Sequence, residues 1–317
     1  MNCLVTGGGG FIGSNLVDRL LKDENQVVVL DNFSTGKESN LAEHEFDKNL
    51  EVVEADICDS LTEIFQDNKF DTVFHLAALP RVQFSIDNPE ITWKVNARGT
   101  FNLLSASAVH EVKRFVFSSS SSIYGDQEIM PFKEHMKLNP KSPYAEQKLR
   151  SERYCKLYAK RFGLETIMLR YFNVFGPKAD PNGGYAQLIP KFIDLISSME
   201  RPQIKGDGEQ TRDFIYVDNI VEANLLAAKT KNKNCFGQAF NIGNGKSYSV
   251  NKITDLLLKM LDKKIESEYV DAVKEPRHTL ADYSKAERML GWKPRVSFEE
   301  GLERTIEYFI GNSPRRI

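Results

Sequence analysis

The sequence predicts an α/β fold: a doubly wound parallel sheet with a smaller α/β lobe beside it. Three observations predict it. Short apolar segments alternate with amphipathic helical patterns through the first half of the chain. A glycine-rich turn, TGGGGFIG, separates the first apolar segment from the first helical one. The second apolar segment ends on an acidic residue, Asp31. Alternation of this kind argues for parallel strands joined by right-handed crossovers, with ligands bound at the carboxyl ends of the strands.

Residues 2–6 read as the first strand and residues 11–21 as a helix with apolar positions Ile12, Leu16, Val17, Leu20 and Leu21. Gly7, Gly10 and Gly13 mark the turn, where the chain needs positive φ, close approach to a pyrophosphate, and close helix–strand packing. The helix start, with Phe11 and Ile12, offers unpaired amides and a positive dipole end to phosphate. Residues 26–30 form the second strand. Asp31 at its end can accept hydrogen bonds from both adenosine ribose hydroxyls and would repel a 2′-phosphate, which favours NAD over NADP. Further strands follow at 50–54, 72–76, 115–118 and 166–170. The Gly loop, Asp31, His75 and the serines 118–122 all fall at strand ends.

Beyond Gly176 the rhythm breaks into GPKADPNGGYAQLIP, a turn-rich loop, followed by a helix over 188–198 and the string GDGEQTRDFIYVDN. Residues 220–228 read as another helix of the Rossmann domain and 239–242 as a late strand. The chain is expected to weave between two lobes. Residues 1–176 and 213–243 form the dinucleotide-binding Rossmann domain, and 177–212 and 244–317 form the smaller lobe, with substrate in the cleft between them. The ending NSPRRI reads as a frayed tail.

Composition excludes several classes. A net charge of −2 gives no global attraction to nucleic acid or to an anionic membrane. No apolar run approaches the roughly 20 residues that span a bilayer, and with a strand read from residue 2 no signal peptide is expected. Cys3, Cys58, Cys155 and Cys235 are scattered without a CxxC pair, as expected of reduced residues in a cytoplasmic protein. The five histidines lack metal-ligand spacing, so no metal is expected, and His75 reads as a packed strand-end residue.

Tyr144 and Lys148, in SPYAEQK, stand four residues apart and share a helix face. A phenol with a reference pKa of about 10 is a poor base at neutral pH, but a neighbouring ammonium favours its phenolate. An oxidised nicotinamide would add a second positive charge. With the hydroxyls of SSSSSIYG at a strand end, the set suits removal of a proton from an alcohol while hydride leaves its carbon.

The spacing GxxGxxG, joined to this Ser–Tyr–Lys set, resembles the extended short-chain dehydrogenase/reductase family over nearly the whole chain. The likeness is strongest to its UDP-hexose 4-epimerases, particularly those acting on N-acetylated sugars. It implies cofactor contacts at Asn32, Ser34, Thr35 and Gly36 (ribose), Asp56 and Ile57 (adenine), Leu76, Ala77 and Ala78, Asn96 in NARGT, and Tyr171 near the nicotinamide. It makes Ser120, four residues before Tyr124, the hydroxyl that holds the reacting oxygen, with Ser121 beside the sugar. Ser118, Ser119 and Ser122 read as turn-forming serines. Tyr144 then removes the proton of the 4-hydroxyl, Lys148 holds the nicotinamide ribose, and a transient 4-keto sugar rotates before hydride returns. The implied nucleotide clamp comprises Asn173, Gln187 and Leu188, the backbone of Gln203 to Lys205, and Arg212 on the diphosphate. Arg212 can alternatively pair with Asp213 or Glu209. The likeness also implies a homodimer formed by two helices per subunit.

The same fold carries several chemistries, so the choice rests on residues. Where related dehydratases place acids after the catalytic hydroxyl residue, this chain has Ser121 and Ser122, which leaves epimerisation as the simplest reaction. Thr279 takes the position where glucose-restricted 4-epimerases carry Tyr, leaving volume for a 2-acetamido group, and the loop DPNGGYAQLIPK points the same way. Two departures stand out. Ala272 replaces a diphosphate-gripping arginine, with Lys274 and Arg277 as nearby substitutes. Arg81, in LPRV, either faces solvent or points inward, where it or Arg277 would suit UDP-glucuronate or another acidic sugar. A catalytically silent NAD-sensing protein is the alternative from another class. It predicts loss of Ser120, Tyr144 or Lys148, and all three are present.

Overall fold

The computed structural model describes residues 1–181, 187–272 and 276–311. Its first half runs β1 (Asn2–Thr6), α1 (Phe11–Lys22), β2 (Gln26–Asp31), β3 (Leu50–Glu54), α2 (Thr62–Asp67), β4 (Thr72–His75), α3 (Val82–Asp87), α4 (Pro89–Trp93), α5 (Thr100–Val109), β5 (Arg114–Ser120), α6 (Pro143–Phe162) and β6 (Glu165–Tyr171). Its second half runs β7 (Asn173–Phe175), α7 (Leu188–Ser197), β8 (Gln203–Lys205), β9 (Thr211–Tyr216), α8 (Val217–Lys229), β10 (Gln238–Ile242), β11 (Ser247–Ser249), α9 (Val250–Met260), β12 (Glu268–Val270), α10 (Ser284–Leu290) and α11 (Phe298–Gly311).

Seven strands form the main sheet in the order β10-β6-β5-β4-β1-β2-β3, all parallel. Period-two alternation buries both of its faces. Cys3, Val5, Val27, Val29 and Val116 join one core cluster, while Leu4, Val28, Leu30, Phe115 and Phe117 join the other. The chain leaves β1 toward β2 and β3 on one side and returns to β4, β5 and β6 on the other. The crevice between the carboxyl ends of β1 and β4 is therefore the switch point where such sheets bind ligands.

Most strands lie within a residue or two of their expected bounds, but two differences matter. β4 stops at His75, leaving Leu76 beyond the strand, and β5 continues to Ser120. Ser118 to Ser120 are thus paired strand residues, in register with Leu169 to Tyr171, rather than a loop after the strand.

Two smaller sheets sit beside the main one: β11-β9-β7 and β12-β8. The lobe boundaries expected at 176 and 213 fall against β7 and inside β9, and both strands pair within the three-stranded sheet. The larger core cluster runs without a break from Cys3 and Leu16 through Phe192, Ile253 and Trp292 to Leu302 and Ile306. Residues 312–317, expected as a frayed tail, lie outside the described residues.

Candidate functional site

The glycine turn is shaped by close approach. Gly7 has φ of 73°, and a Cβ there would stand 2.6 Å from the amide nitrogen of Ala77. A Cβ on Gly13 would stand 2.0 Å from the Gly7 carbonyl oxygen, so only glycine lets α1 start this close to β1. Gly10 is the N-cap of α1, its amide donating to the Gly7 carbonyl at 3.1 Å. Neither an acid in the first turn nor a capping side chain occupies this helix end. The amides of this uncapped helix start, at the end of β1, fit what a dinucleotide pyrophosphate would require.

Asp31 is 8 % exposed. Its Oδ2 accepts from the Gly9 amide and its Oδ1 from the Phe33 amide, both at 2.9 Å, while burial pushes the carboxyl above its ordinary pKa. The carboxylate thereby pins the glycine loop to β2. The segment carrying Asn32, Ser34, Thr35 and Gly36 lies over that loop: a Cβ on Gly36 would meet Gly9 at 2.9 Å, and Lys37 donates to the Gly9 carbonyl. Asn32 donates to Asp56 at 3.1 Å, and Ile57 is buried against Gly99, so both expected adenine-side residues flank the same edge.

Beyond β4, Leu76 and Ala77 donate backbone bonds to Thr6, and Leu79 is clamped by Asn96. The Leu79 amide donates to Asn96 Oδ1 at 2.8 Å, and Asn96 Nδ2 donates to the Leu79 carbonyl at 3.1 Å. Asn96 sits in a π-helical turn, Lys94–Gly99, and its Nδ2 also donates to Gln147. Its side chain, expected at the cofactor, thus holds Leu79, the residue that follows Leu76, Ala77 and Ala78. His75 is caught between the hydroxyls of Thr6 and Thr100 at 2.8 and 2.9 Å. Burial holds its imidazole well below its ordinary pKa and hence neutral, a packed strand-end residue as read from sequence.

α6 starts cleanly, with Ser142 as N-cap accepting from the Ala145 amide and Pro143 in the first turn. Its buried face carries Tyr144 and Lys148, 8 % and 3 % exposed. The Tyr144 amide donates to Ser85 Oγ at 3.1 Å. Lys148 Nζ donates to the Ser118 carbonyl at 2.8 Å and lies 4.9 Å over the Phe117 ring and 5.9 Å over the Tyr144 ring. Desolvation lowers its pKa to about 7. Ser120 ends β5 and caps the 3₁₀ turn Ser121–Tyr124, its Oγ accepting from the Ser122 amide at 3.1 Å. The Ser122 hydroxyl is buried without a hydrogen-bond partner among the described residues. Tyr171 stands opposite Ser120 in the β5–β6 register, but its phenol is taken up by Asn224 of α8.

The expected clamp residues lie on the smaller sheets and at the start of α7. Asn173 opens β7 with its side chain exposed, and Gln187 caps α7 just before the half-buried Leu188, its Oε1 buried without a partner among the described residues. Gln203 and Lys205 are exposed on β8, with Gln203 donating to Glu268. Arg212 of β9 donates through Nη1 to the carbonyls of Thr211 and Arg277. Its expected alternative partner Asp213 is instead fully buried, its carboxylate accepting from the amides of Asn244, Gly245 and Ala281 at 2.6, 2.9 and 3.0 Å. Burial lifts the Asp213 pKa to about 6. Thr279 lies along β9, its amide donating to the Thr211 carbonyl.

Two expected substitutes for the missing diphosphate arginine fare differently. Arg277 makes an exposed pair with Asp207 at 2.6 Å, because the turn at 206–208 brings a carboxylate within its reach. Lys274 lies outside the described residues. Arg81, at the N-cap of α3, is half-buried, and its guanidinium makes no hydrogen bond or ion pair with any described residue.

Sequence reasoning missed a buried network behind the serines. Arg170 forks onto Glu152, Nε to Oε1 and Nη2 to Oε2 each at 2.8 Å, and its Nη1 donates to Tyr124 Oη at 2.8 Å. Ser119 Oγ donates to Glu152 Oε1 at 2.7 Å, so Ser119 is more than a turn-former. Removing one partner of such a pair costs roughly 3–5 kcal/mol. Its signals were a charge inside the apolar strand TIMLRYF and a carboxylate four residues after Lys148.

The chain matches the family of GDP-mannose 4,6 dehydratase over residues 4–305. It is similar to the UDP-glucose 4-epimerase of Thermotoga maritima, solved with UDP-glucose, at 39 % identity, 98 % and 99 % coverage of the two chains and a TM-score of 0.93. It is similar to the UDP-N-acetylglucosamine 4-epimerase of Methanobrevibacter ruminantium, solved with UDP-N-acetylmuramic acid, at 41 % identity, 98 % coverage of both chains and a TM-score of 0.92. A UDP-glucuronic acid 4-epimerase of Bacillus cereus, solved with UDP-glucuronic acid and NAD, is 34 % identical, with 98 % and 99 % coverage and a TM-score of 0.91.

Proposed function

The chain belongs to the extended short-chain dehydrogenase/reductase family of NAD-dependent epimerases and dehydratases, and from that premise we propose a UDP-sugar 4-epimerase whose substrate carries a 2-acetamido group. The observation that carries the reading is the buried Tyr144–Lys148 face, tied through Lys148 to the Ser118 carbonyl at the same sheet edge as the glycine cradle. Gly7, Gly10 and Gly13, the start of α1 and Asp31 would hold NAD, which supplies hydride acceptance and return at carbon 4. Tyr144 takes the proton of the 4-hydroxyl, and Ser120 holds that oxygen. Lys148, whose pKa near 7 lets it gain or lose a proton at working pH, stabilises the phenolate when charged. Ser121 and Ser122 offer no acid for dehydration, and the reaction stays at carbon 4.

The clamp of Asn173, Leu188, Gln203 to Lys205 and Arg212 would hold the uridine diphosphate while the keto sugar turns. Thr279, on the segment bonded to β9 beside Arg212, is the basis for preferring an N-acetylated sugar. A second reading, an acidic UDP-sugar, rests on half-buried Arg81, whose guanidinium has no partner among the described residues. The deciding experiment incubates purified protein, without added cofactor, with UDP-N-acetylglucosamine, UDP-glucose and UDP-glucuronate, and resolves the 4-epimers. Turnover is expected fastest on the N-acetylated sugar and reduced at least about 100-fold in Tyr144→Phe, the lower range for loss of a general base. Fastest turnover on UDP-glucuronate replaces the first reading with the second, and full activity in Tyr144→Phe removes that residue from the mechanism.

A further inference from the structure

The face of α6 that carries Tyr144 and Lys148 continues one turn further to Glu152, since residues four apart share a helix face. Glu152 is fully buried and meets two elements at once. One is Ser119 of β5, the residue before Ser120, and the other is Arg170 of β6. Arg170, 1 % exposed, also reaches Tyr124, the last residue of the turn that Ser120 caps. Tyr124 in turn donates to Asn241 Oδ1 of β10 at 2.6 Å, and Asn241 Nδ2 donates to the Phe132 carbonyl at 2.8 Å. A planar guanidinium has its donors at set angles, so a three-way engagement fixes the orientation of every partner.

We propose that Arg170 is a positioning residue: through Glu152 and Tyr124 it locks the Tyr144–Lys148 face of α6 to the turn that bears Ser120. This rests on the reading of Ser120, Tyr144 and Lys148 as the reacting groups. Stability alone does not call for the pair, because well-packed apolar side chains of similar volume commonly replace a buried ion pair without loss. What apolar residues cannot supply is angular register between a helix and a turn that must present their hydroxyls to one oxygen atom. Misplacement of about 1 Å costs about 100-fold in rate.

The test separates register from stability. In the double variant Glu152→Met with Arg170→Met, no charge is left unpaired. The expected result is a melting temperature close to that of the wild type, retained NAD and unchanged affinity for UDP. With the best UDP-sugar, kcat falls at least about 10-fold while KM stays within about 2-fold, the signature of lost transition-state contacts. Tyr124→Phe, which keeps the ion pair and loses only the phenol bonds, is expected to fold and to show a smaller fall in kcat alone. A folded double variant with kcat within about 2-fold of wild type overturns the proposal. If the double variant does not fold, Tyr124→Phe decides, and wild-type kcat in it overturns the proposal. A wild-type protein inert on every UDP-sugar overturns the functional reading and, with it, the role assigned to Arg170.

Discussion

Lys148 shows at the level of one residue how position sets chemistry. Its ammonium is nearly lost from solvent and keeps the Ser118 carbonyl as its hydrogen-bond acceptor, so its pKa falls from 10.5 to about 7. A lysine whose native pKa lies below its unfolded value binds more protons in the unfolded chain between those two values. Its contribution to stability is therefore present in full above about pH 10.5 and is lost as pH falls through about 7. For the protein without NAD or substrate, Lys148→Met is expected to raise the melting temperature by several degrees at pH 7, with the gain shrinking toward pH 10. Thermal melts of both proteins across that range check it. A gain that grows with pH would show that the native ammonium is stabilised rather than strained. Tyr144 and Lys148 were readable as a pair from four-residue spacing, whereas the loss of solvent around Lys148 was not, because burial depends on β5 and the serine turn packing over it.

At the scale of segments, the proposed sugar preference rests on how β9 and its neighbours hold Thr279. β9 lies between β11 and β7, and its first residues are also bonded to the segment at 277–279 through the His278–Thr211 bridge and the Thr279 amide. Asp213 anchors the joint by accepting three backbone amides from residues 244, 245 and 281. Thr279 thus belongs to a firmly fixed strip beside Arg212, and added bulk there has little room to move away. Thr279→Tyr is expected to lower kcat/KM for UDP-N-acetylglucosamine at least about 10-fold more than for UDP-glucose, since steric exclusion acts on the difference between substrates. Equal losses on both, measured side by side, would mean damage to the strip, and no loss would place Thr279 away from the sugar. The strands of the main sheet were legible because continuous apolar runs bounded by turns carry their own signal. The short strands β7 and β9 carry a weaker signal, because three to six residues of apolar sequence fit a large or a small sheet equally well.

The whole molecule leaves an apolar stripe uncovered. Phe101 of α5 packs edge-on to Tyr154 and Tyr158 of α6, Tyr158 stacks on Phe162, and Phe101, Leu157 and Phe162 remain 44 %, 46 % and 61 % exposed. Contiguous apolar patches of this kind mark association sites, and two helices per subunit fit a two-fold partner. We infer a homodimer through α5 and α6. The paired change Phe101→Glu with Leu157→Arg is expected to convert a dimer to a monomer in light scattering coupled to size exclusion, with NAD retained. A wild-type monomer at micromolar concentration would remove the inference. None of the described helices is long and apolar enough to cross a membrane. What the sequence determined by itself was whatever is encoded in local spacing: the parallel strands, the glycine cradle with its answering Asp31, and the Ser–Tyr–Lys set. Only the tertiary structure decided the rest. Asn96 clamps Leu79, Arg277 pairs with Asp207, and Glu152, Arg170 and Tyr124 meet behind the serines. Those partners lie 17 to 70 residues apart, and what a buried polar group bonds to is set by which strands and helices the core brings together, not by its neighbours in the chain.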